Sequence, residues 1–334
     1  EQRWSFVFWP PRFWSLSAGT CRLMRDDAVE RVLRETLVKS GAKNAAVVAW
    51  LEDRENVSRF LRASENDNEH KAARRLVSMV AWMEEERPQE LYCPACYEFG
   101  CRGGDQGLEL SSTSAGHYMH VCAYDKENRP TIYSCLELAV NKDIEDNRKH
   151  LISTFETAIE IMPPGVLKWN WVLDMHGFRL VDSDPRLARI FLSLAGERYP
   201  ERLGQFWVVD APKLFTGLWS IIEKFIDPKT KEKIRFVGTK NGDQELRDAL
   251  ATRFREEDVD WFCLEIAGNR KVKRGEKTFC YREFADQLQA VADERAGHGS
   301  NEATRAPANV STTFLQDIVR HLDGKIPPRL RPWK

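Results

Sequence analysis

Apolar positions along the chain follow two successive patterns, a helical one first and an alternating one after it. Within Glu69–Glu86 they fall at Ala72, Ala73, Leu76, Met79, Val80 and Met83, which is one face of a helix. A shorter helix is expected over Val57–Ala63, and Pro88 closes the region, so residues 26–90 read as a helical cap. Residues 91–116 carry Pro94, Gly100, Gly103, Gly104, Gly107 and the run Ser111–Gly116, the composition of an irregular Cys/Gly-rich loop. From residue 117 the spacing predicts strands at His117–Tyr124, Thr131–Leu136, Trp169–Met175, Gln205–Val209 and Lys233–Val237. Helices are expected between them. Asp146–Met162 has Leu151, Ile152, Phe155, Ile159 and Met162 on one side. A second helix opens with Asp184 as cap and Pro185 in its first turn, and its apolar face is Leu187, Ile190, Phe191, Leu194 and Ala195. A third spans Lys213–Ile226. Strands separated by helices imply an α/β fold: a helical cap, then a mostly parallel sheet flanked by helices over residues 117–268. Residues 269–334 form a polar segment ending in a helix at Thr312–Leu322, and no internal repeat is visible.

Composition narrows the function classes. Lys and Arg number 50 against 51 Asp and Glu, so the chain lacks the basic excess that marks a nucleic-acid partner. No apolar run approaches the ~20 residues that span a bilayer. Together with the 30% charged residues this reads as a globular, soluble chain, expected to be cytoplasmic and monomeric. Residues 1–25 are expected as a disordered leader; their aromatic cluster (Trp4, Phe6, Phe8, Trp9, Phe13, Trp14) leaves a membrane-surface anchor as the alternative. Eight cysteines are too few for a disulfide scaffold at this length, and reduced thiols are expected.

Catalytic signatures are missing. The chain has no G-x-G-x-x-G, no G-x-x-x-x-G-K-[ST], no G-x-S-x-G and no H-E-x-x-H, so no cofactor is expected and an enzyme is disfavoured. Cys93 and Cys96 have a zinc-ligand spacing, with Cys101, His117, His120 and Cys122 further on. The second half of such a site lacks the usual pairing, and residues three apart on a strand face opposite sides, so the expectation is a loop without metal. The basic run Arg270, Lys271, Lys273, Arg274 and Lys277 reads either as a solvated loop or as a contact for anionic lipid, worth about 1 kcal/mol per residue there.

One ordered set of motifs is specific. Tyr199-Pro200-Glu201-Arg202-Leu203-Gly204 leads into a strand ending at Ala211-Pro212, an aromatic-rich helix follows, and then Phe225-Ile226-Asp227-Pro228-Lys229-Thr230-Lys231-Glu232-Lys233-Ile234. Asp125-x-x-x-Arg129-Pro130 precedes a strand, Leu173-Asp174-x-x-Gly177 ends one, and Arg59-Phe60-Leu61-Arg62-Ala63 lies in the helical cap. Over roughly residues 30–265 this order resembles the CRAL-TRIO family of phosphatidylinositol transfer proteins and tocopherol and retinaldehyde carriers.

That resemblance implies a function without covalent chemistry: the sheet floors an apolar cavity, and the helix after Pro212 gates it. The gate face here would be Phe215, Leu218, Trp219, Ile222, Phe225 and Ile226. The ligand would be a phospholipid, phosphatidylinositol first, or another apolar molecule such as a sterol, isoprenoid or tocopherol, with transient membrane contact; an interaction module that exchanges no lipid is a further alternative. The resemblance assigns the headgroup to Arg202, Thr230 and Lys233, with Glu201 as the accompanying acid. Two departures bear on ligand choice. Ser64 and Glu65 stand where the phosphatidylinositol-binding members carry basic residues. Trp169 and Trp171 stand where dual-specificity members place small hydroxyl residues for phosphatidylcholine.

Overall fold

The computed structural model describes residues 18–91, 118–141, 143–179, 185–274, 276, 279–298 and 310–331. The chain divides into two compact units, Glu1–Glu85 and Glu86–Lys334.

The first unit is helical: α1 (Ala18–Ser40), α2 (Ala45–Glu52), α3 (Arg54–Arg62) and α4 (Glu69–Glu86). Helix α1 starts inside the stretch expected as a leader, and the aromatic residues before it lie outside the described residues. Asn44 and Asp53 cap α2 and α3 by accepting hydrogen bonds from the backbone N–H groups of Ala46 and Glu55. The apolar face read for α4 is buried, and it meets Val29, Val32, Leu51, Val57, Phe60 and Leu61 in one core.

The second unit is built on a five-stranded sheet: β1 (Met119–Tyr124), β2 (Pro130–Cys135), β3 (Trp169–Asp174), β4 (Leu203–Val209) and β5 (Ile234–Val237). Strand order follows chain order. The β1–β2 hairpin is antiparallel and every later pairing is parallel. The helices are α5 (Ile144–Glu160), α6 (Pro185–Ser193), α7 (Lys213–Ile222), the single turn α8 (Pro228–Lys231), α9 (Gln244–Ala251), α10 (Glu256–Asn269), α11 (Tyr281–Arg295) and α12 (Thr312–His321). A π turn continues α6 through Arg198.

Register assigns the faces, because side chains on a strand alternate. Tyr133, Val172 and Trp207 stand in one cross-strand row. Their face packs on Leu246, Phe254, Phe262 and Ile266 from α9, α10 and the intervening turn. Ile132, Trp171, Phe206 and Ile234 form the neighbouring row on the opposite face. There Phe155 of α5 stacks on Trp169 at 4.7 Å, and Phe191 of α6 meets Trp171 edge-on at 5.3 Å.

In the second unit α9, α10 and α11, and the single turn α8, were not read from the sequence. The stretch treated as a polar C-terminal segment contains α11, which buries Phe284, Ala285 and Leu288; α12 follows it, and its Phe314 lies 5.4 Å from Tyr124 of β1. Helix α7 is shorter than expected, ending at Ile222 before a 3₁₀ turn over Glu223–Phe225.

Candidate functional site

The motif residues Asp125, Arg129, Arg202 and Gly204 gather at the amino-terminal ends of the parallel strands. Asp125, buried after β1, accepts from Nε of Arg129 at 2.7 Å and from Nδ2 of Asn170 at 2.8 Å. Asn170 Oδ1 in turn accepts the backbone N–H of Gln205 at 3.0 Å. Gly204 lies against this link: a Cβ there would stand 2.6 Å from Asn170 Oδ1 and 3.1 Å from the carbonyl oxygen of Trp169. The register between β3 and β4 shifts at this point, Trp169 pairing with Leu203 but Trp171 with Phe206. The glycine therefore lets a bulged strand approach β3 closely.

The residues assigned to a headgroup lie beside this bulge. Glu201 takes a left-handed backbone conformation, φ +59°, just before β4. Arg202 is buried and its guanidinium donates to the carbonyl of Leu167 at 2.9 Å. Thr230 closes α8, where Asp227 Oδ1 accepts its N–H at 3.0 Å. Lys233 leads into β5, and its carbonyl accepts from the N–H of Phe206 at 2.8 Å and from the side-chain amide of Gln205. Burial pushes the Lys233 ammonium below the ordinary lysine range. Glu201 and Asp227 oppose that displacement, and the charges of Lys168 and Lys229 add to it. Glu201, Thr230 and Lys233 are thus brought to one end of the sheet, with Lys168 and Lys229, which sequence reading did not single out.

Trp169 and Trp171 are buried on the face covered by α5 and α6. The Trp171 indole N–H donates to Ser134 Oγ at 2.8 Å. Helix α7 reaches the same face through β5. Trp219 meets Phe236 at 5.2 Å, and Phe215 lies between Phe178 at 5.8 Å and Phe236 at 6.4 Å. Phe236 itself is 44% exposed although it sits on the sheet. Of the expected gate residues, Phe215, Trp219, Ile222 and Ile226 are half-buried; the side chains of Leu218 and Phe225 lie outside the described residues.

The opposite, carboxyl-terminal ends of the strands are closed by charge. Arg270 donates to Asp174 Oδ2 at 2.6 Å and to Asp210 Oδ2 at 2.8 Å. Thr239 donates to Asp210 from both its N–H, at 2.8 Å, and its hydroxyl, at 2.5 Å. Burial alone would raise the Asp210 carboxyl, but the Thr239 and Arg270 hydrogen bonds outweigh it and hold it below the ordinary aspartate value. Arg274 donates to the carbonyl of Gly177 at 2.7 Å. The basic run considered as a lipid contact therefore turns two of its arginines inward.

Among the described residues no cluster of His, Cys, Asp and Glu could hold a metal ion. Cys93, Cys96, Cys101 and His117 lie outside those residues. His120 stacks on Phe279 at 4.3 Å, and Cys122 is buried with its thiol displaced upward by that burial. Cys280 is disulfide-bonded, which corrects the expectation that all the cysteines are reduced. Among the described residues no helix is long and apolar enough to cross a membrane.

Residues 115–258 match the CRAL/TRIO domain. A CRAL-TRIO domain-containing protein of Schizosaccharomyces pombe is 29% identical over 189 residues, 56% of this chain and 17% of that protein. The phosphatidylinositol/phosphatidylcholine transfer protein SFH7 of Arabidopsis thaliana is 29% identical over 133 residues, 35% of this chain and 24% of that protein. The chain therefore spans less than a third of either relative's length. The crystal structure of Sfh5 overlaps 66% of this chain and 81% of its own, with a TM-score of 0.46 and 14% identity.

Proposed function

We propose that this protein binds a phospholipid, with phosphatidylinositol as its ligand, and exchanges it between membranes or presents it at one. The observation that carries the reading is the meeting of Glu201, Thr230 and half-buried Lys233 at one end of a sheet whose covered face is aromatic. An ammonium held below its usual range by burial and by neighbouring cations is stabilised by an arriving phosphate. The apolar face supplies the other half of the ligand site. Two acyl chains hold about 30 methylenes at about 0.8 kcal/mol each, so unaided escape of such a lipid into water is very slow. A protein surface that replaces the bilayer lowers that barrier without covalent chemistry, and no catalytic residue is invoked.

In this reading α7 is the gate. Phe215 and Trp219 close over the sheet edge at Phe236, and their release opens a path between the sheet face and a bilayer touched from the cytoplasmic side. A second reading, a more compact apolar ligand such as a sterol or isoprenoid, is favoured by one feature: the Trp169 and Trp171 rings fill space against Phe155 and Phe191.

The test is transfer of fluorescent phosphatidylinositol from donor to acceptor vesicles, together with native mass spectrometry of the purified protein. Transfer and a co-purifying phospholipid are expected. A co-purifying sterol or isoprenoid without phospholipid would establish the second reading, and an empty protein that transfers nothing would sink both.

A further inference from the structure

Lys168 is the residue immediately before β3, and nothing in the motif set draws attention to it. Its place in the sheet does. Trp169 pairs with Leu203, and its N–H donates to the carbonyl of Arg202 at 2.9 Å, which sets Lys168 beside Glu201 and Arg202. One strand further, Phe206 donates to the carbonyl of Lys233, placing that lysine at the mouth of β5. Lys168, the Glu201–Arg202 pair and Lys233 thus line the amino-terminal edge of three adjacent strands.

The charges at this edge do not balance. Lys168 and Lys229 both act on Lys233 as repelling neighbours, while Glu201 and Asp227 act as attracting ones. Asp227 also caps α8, its Oδ1 accepting the N–H of Thr230, and keeps its charge. Two carboxylates then face three ammonium groups, two of them half-buried, so the edge is left with a net positive charge. A net positive, partly buried edge favours an anion.

We propose that Lys168 is a headgroup-binding residue that contacts the lipid phosphate together with Lys233 and selects net-negative headgroups over neutral or zwitterionic ones. The proposal rests on the phospholipid reading above. It adds a contact from β3 to a site otherwise drawn from β4, α8 and β5, and it makes headgroup charge, rather than only shape, a criterion of choice.

Equilibrium binding of fluorescent phosphatidylinositol, and of diacylglycerol with the same acyl chains, is to be measured for the wild-type protein and for Lys168→Ala, Lys168→Gln and Lys168→Arg. Lys233→Ala serves in parallel as a probe of the parent reading. Lys168→Ala and Lys168→Gln are expected to bind phosphatidylinositol about tenfold more weakly, to bind diacylglycerol unchanged and to keep the wild-type melting temperature, with Lys168→Arg restoring most of the affinity. Unchanged phosphatidylinositol affinity in a folded Lys168→Gln would overturn the proposal, as would an equal loss for both lipids, which marks a packing role. If Lys233→Ala weakens phosphatidylinositol binding and Lys168→Gln does not, Lys168 alone is excluded. If the wild-type protein binds no phosphatidylinositol, the parent reading fails as well.

Discussion

Arg270 meets Asp210 at 2.8 Å across the carboxyl-terminal edge of the sheet. The same guanidinium reaches Asp174, at the end of β3, with its other terminal nitrogen. Asp210 holds φ +51° and leads through Ala211 and Pro212 into α7, so the arginine fixes the point from which α7 departs. Asp174 is fully buried, and leaving its carboxylate without Arg270 is costly.

Arg270→Ala is accordingly expected to destabilise the protein by about 3 kcal/mol, the cost of breaking a largely buried charge pair from one side. Urea unfolding followed by tryptophan fluorescence measures this. A loss comparable to that of an exposed ion pair would show that the bridge holds little.

The Asp210 carboxyl is held below its ordinary value of 3.8, so its hydrogen bonds stabilise the folded state above that pH. This contribution is lost as pH falls through the lower folded-state value. The stability gap between wild type and Asp210→Asn should be constant from pH 7 to pH 5 and shrink below pH 4, as read from unfolding midpoints at each pH.

Gly177 follows β3 at φ +78°, and a Cβ there would lie 2.6 Å from the Cα of Glu137. Both backbone strain and a clash with main chain oppose any side chain. Gly177→Ala should cost more than about 2 kcal/mol, and a melting temperature within a degree or two of wild type would contradict the close approach.

Anionic-lipid binding should have its own pH dependence. In the proposed reading Lys233 binds phosphate as an ammonium; burial lowers its pKa from the ordinary lysine value of 10.5. Affinity for phosphatidylinositol is therefore expected to fall on the alkaline side before ordinary lysines deprotonate. Lys233→Arg keeps its charge there and should flatten the profile. An identical alkaline fall in wild type and Lys233→Arg would assign the titration to another group.

Headgroup choice is a further test. Trp169 and Trp171 bring no hydroxyl to their face, and their rings fill space against Phe155 and Phe191. A phosphocholine headgroup would have less room and fewer partners there, and a buried phosphate short of partners is unfavourable. Phosphatidylcholine transfer should be markedly slower than that of phosphatidylinositol; equal rates in the vesicle assay would remove the indoles from the account.

The sheet was legible because its strands announce themselves locally. Trp169–Asp174 and Leu203–Val209 are short apolar or aromatic runs, and their ends fall within two residues of expectation. Helix α10 was missed although Val259, Phe262, Cys263 and Ile266 are helically spaced, since the charged residues among them masked the stripe. Arg270 was misread for a different reason. Its partner Asp174 is 96 residues away, and a local pattern holds no trace of such a bond. Arg202 shows the same limit: the residue type announces a charge, but only the fold shows one of its nitrogens spent on the Leu167 carbonyl.

Because strand order repeats chain order, the sheet resembles a row of shingles laid in one direction, and β5 is the last of them. It has four residues and a single neighbouring strand, and Phe236 on it receives the rings of α7. Of the strand pairings, lifting this shingle would break the β4–β5 one and leave the hairpin and the two central pairings intact. Amide exchange in β5 and α7 should accordingly run ahead of that in β2 and β3, making the movable edge a separate cooperative unit from the body that carries it.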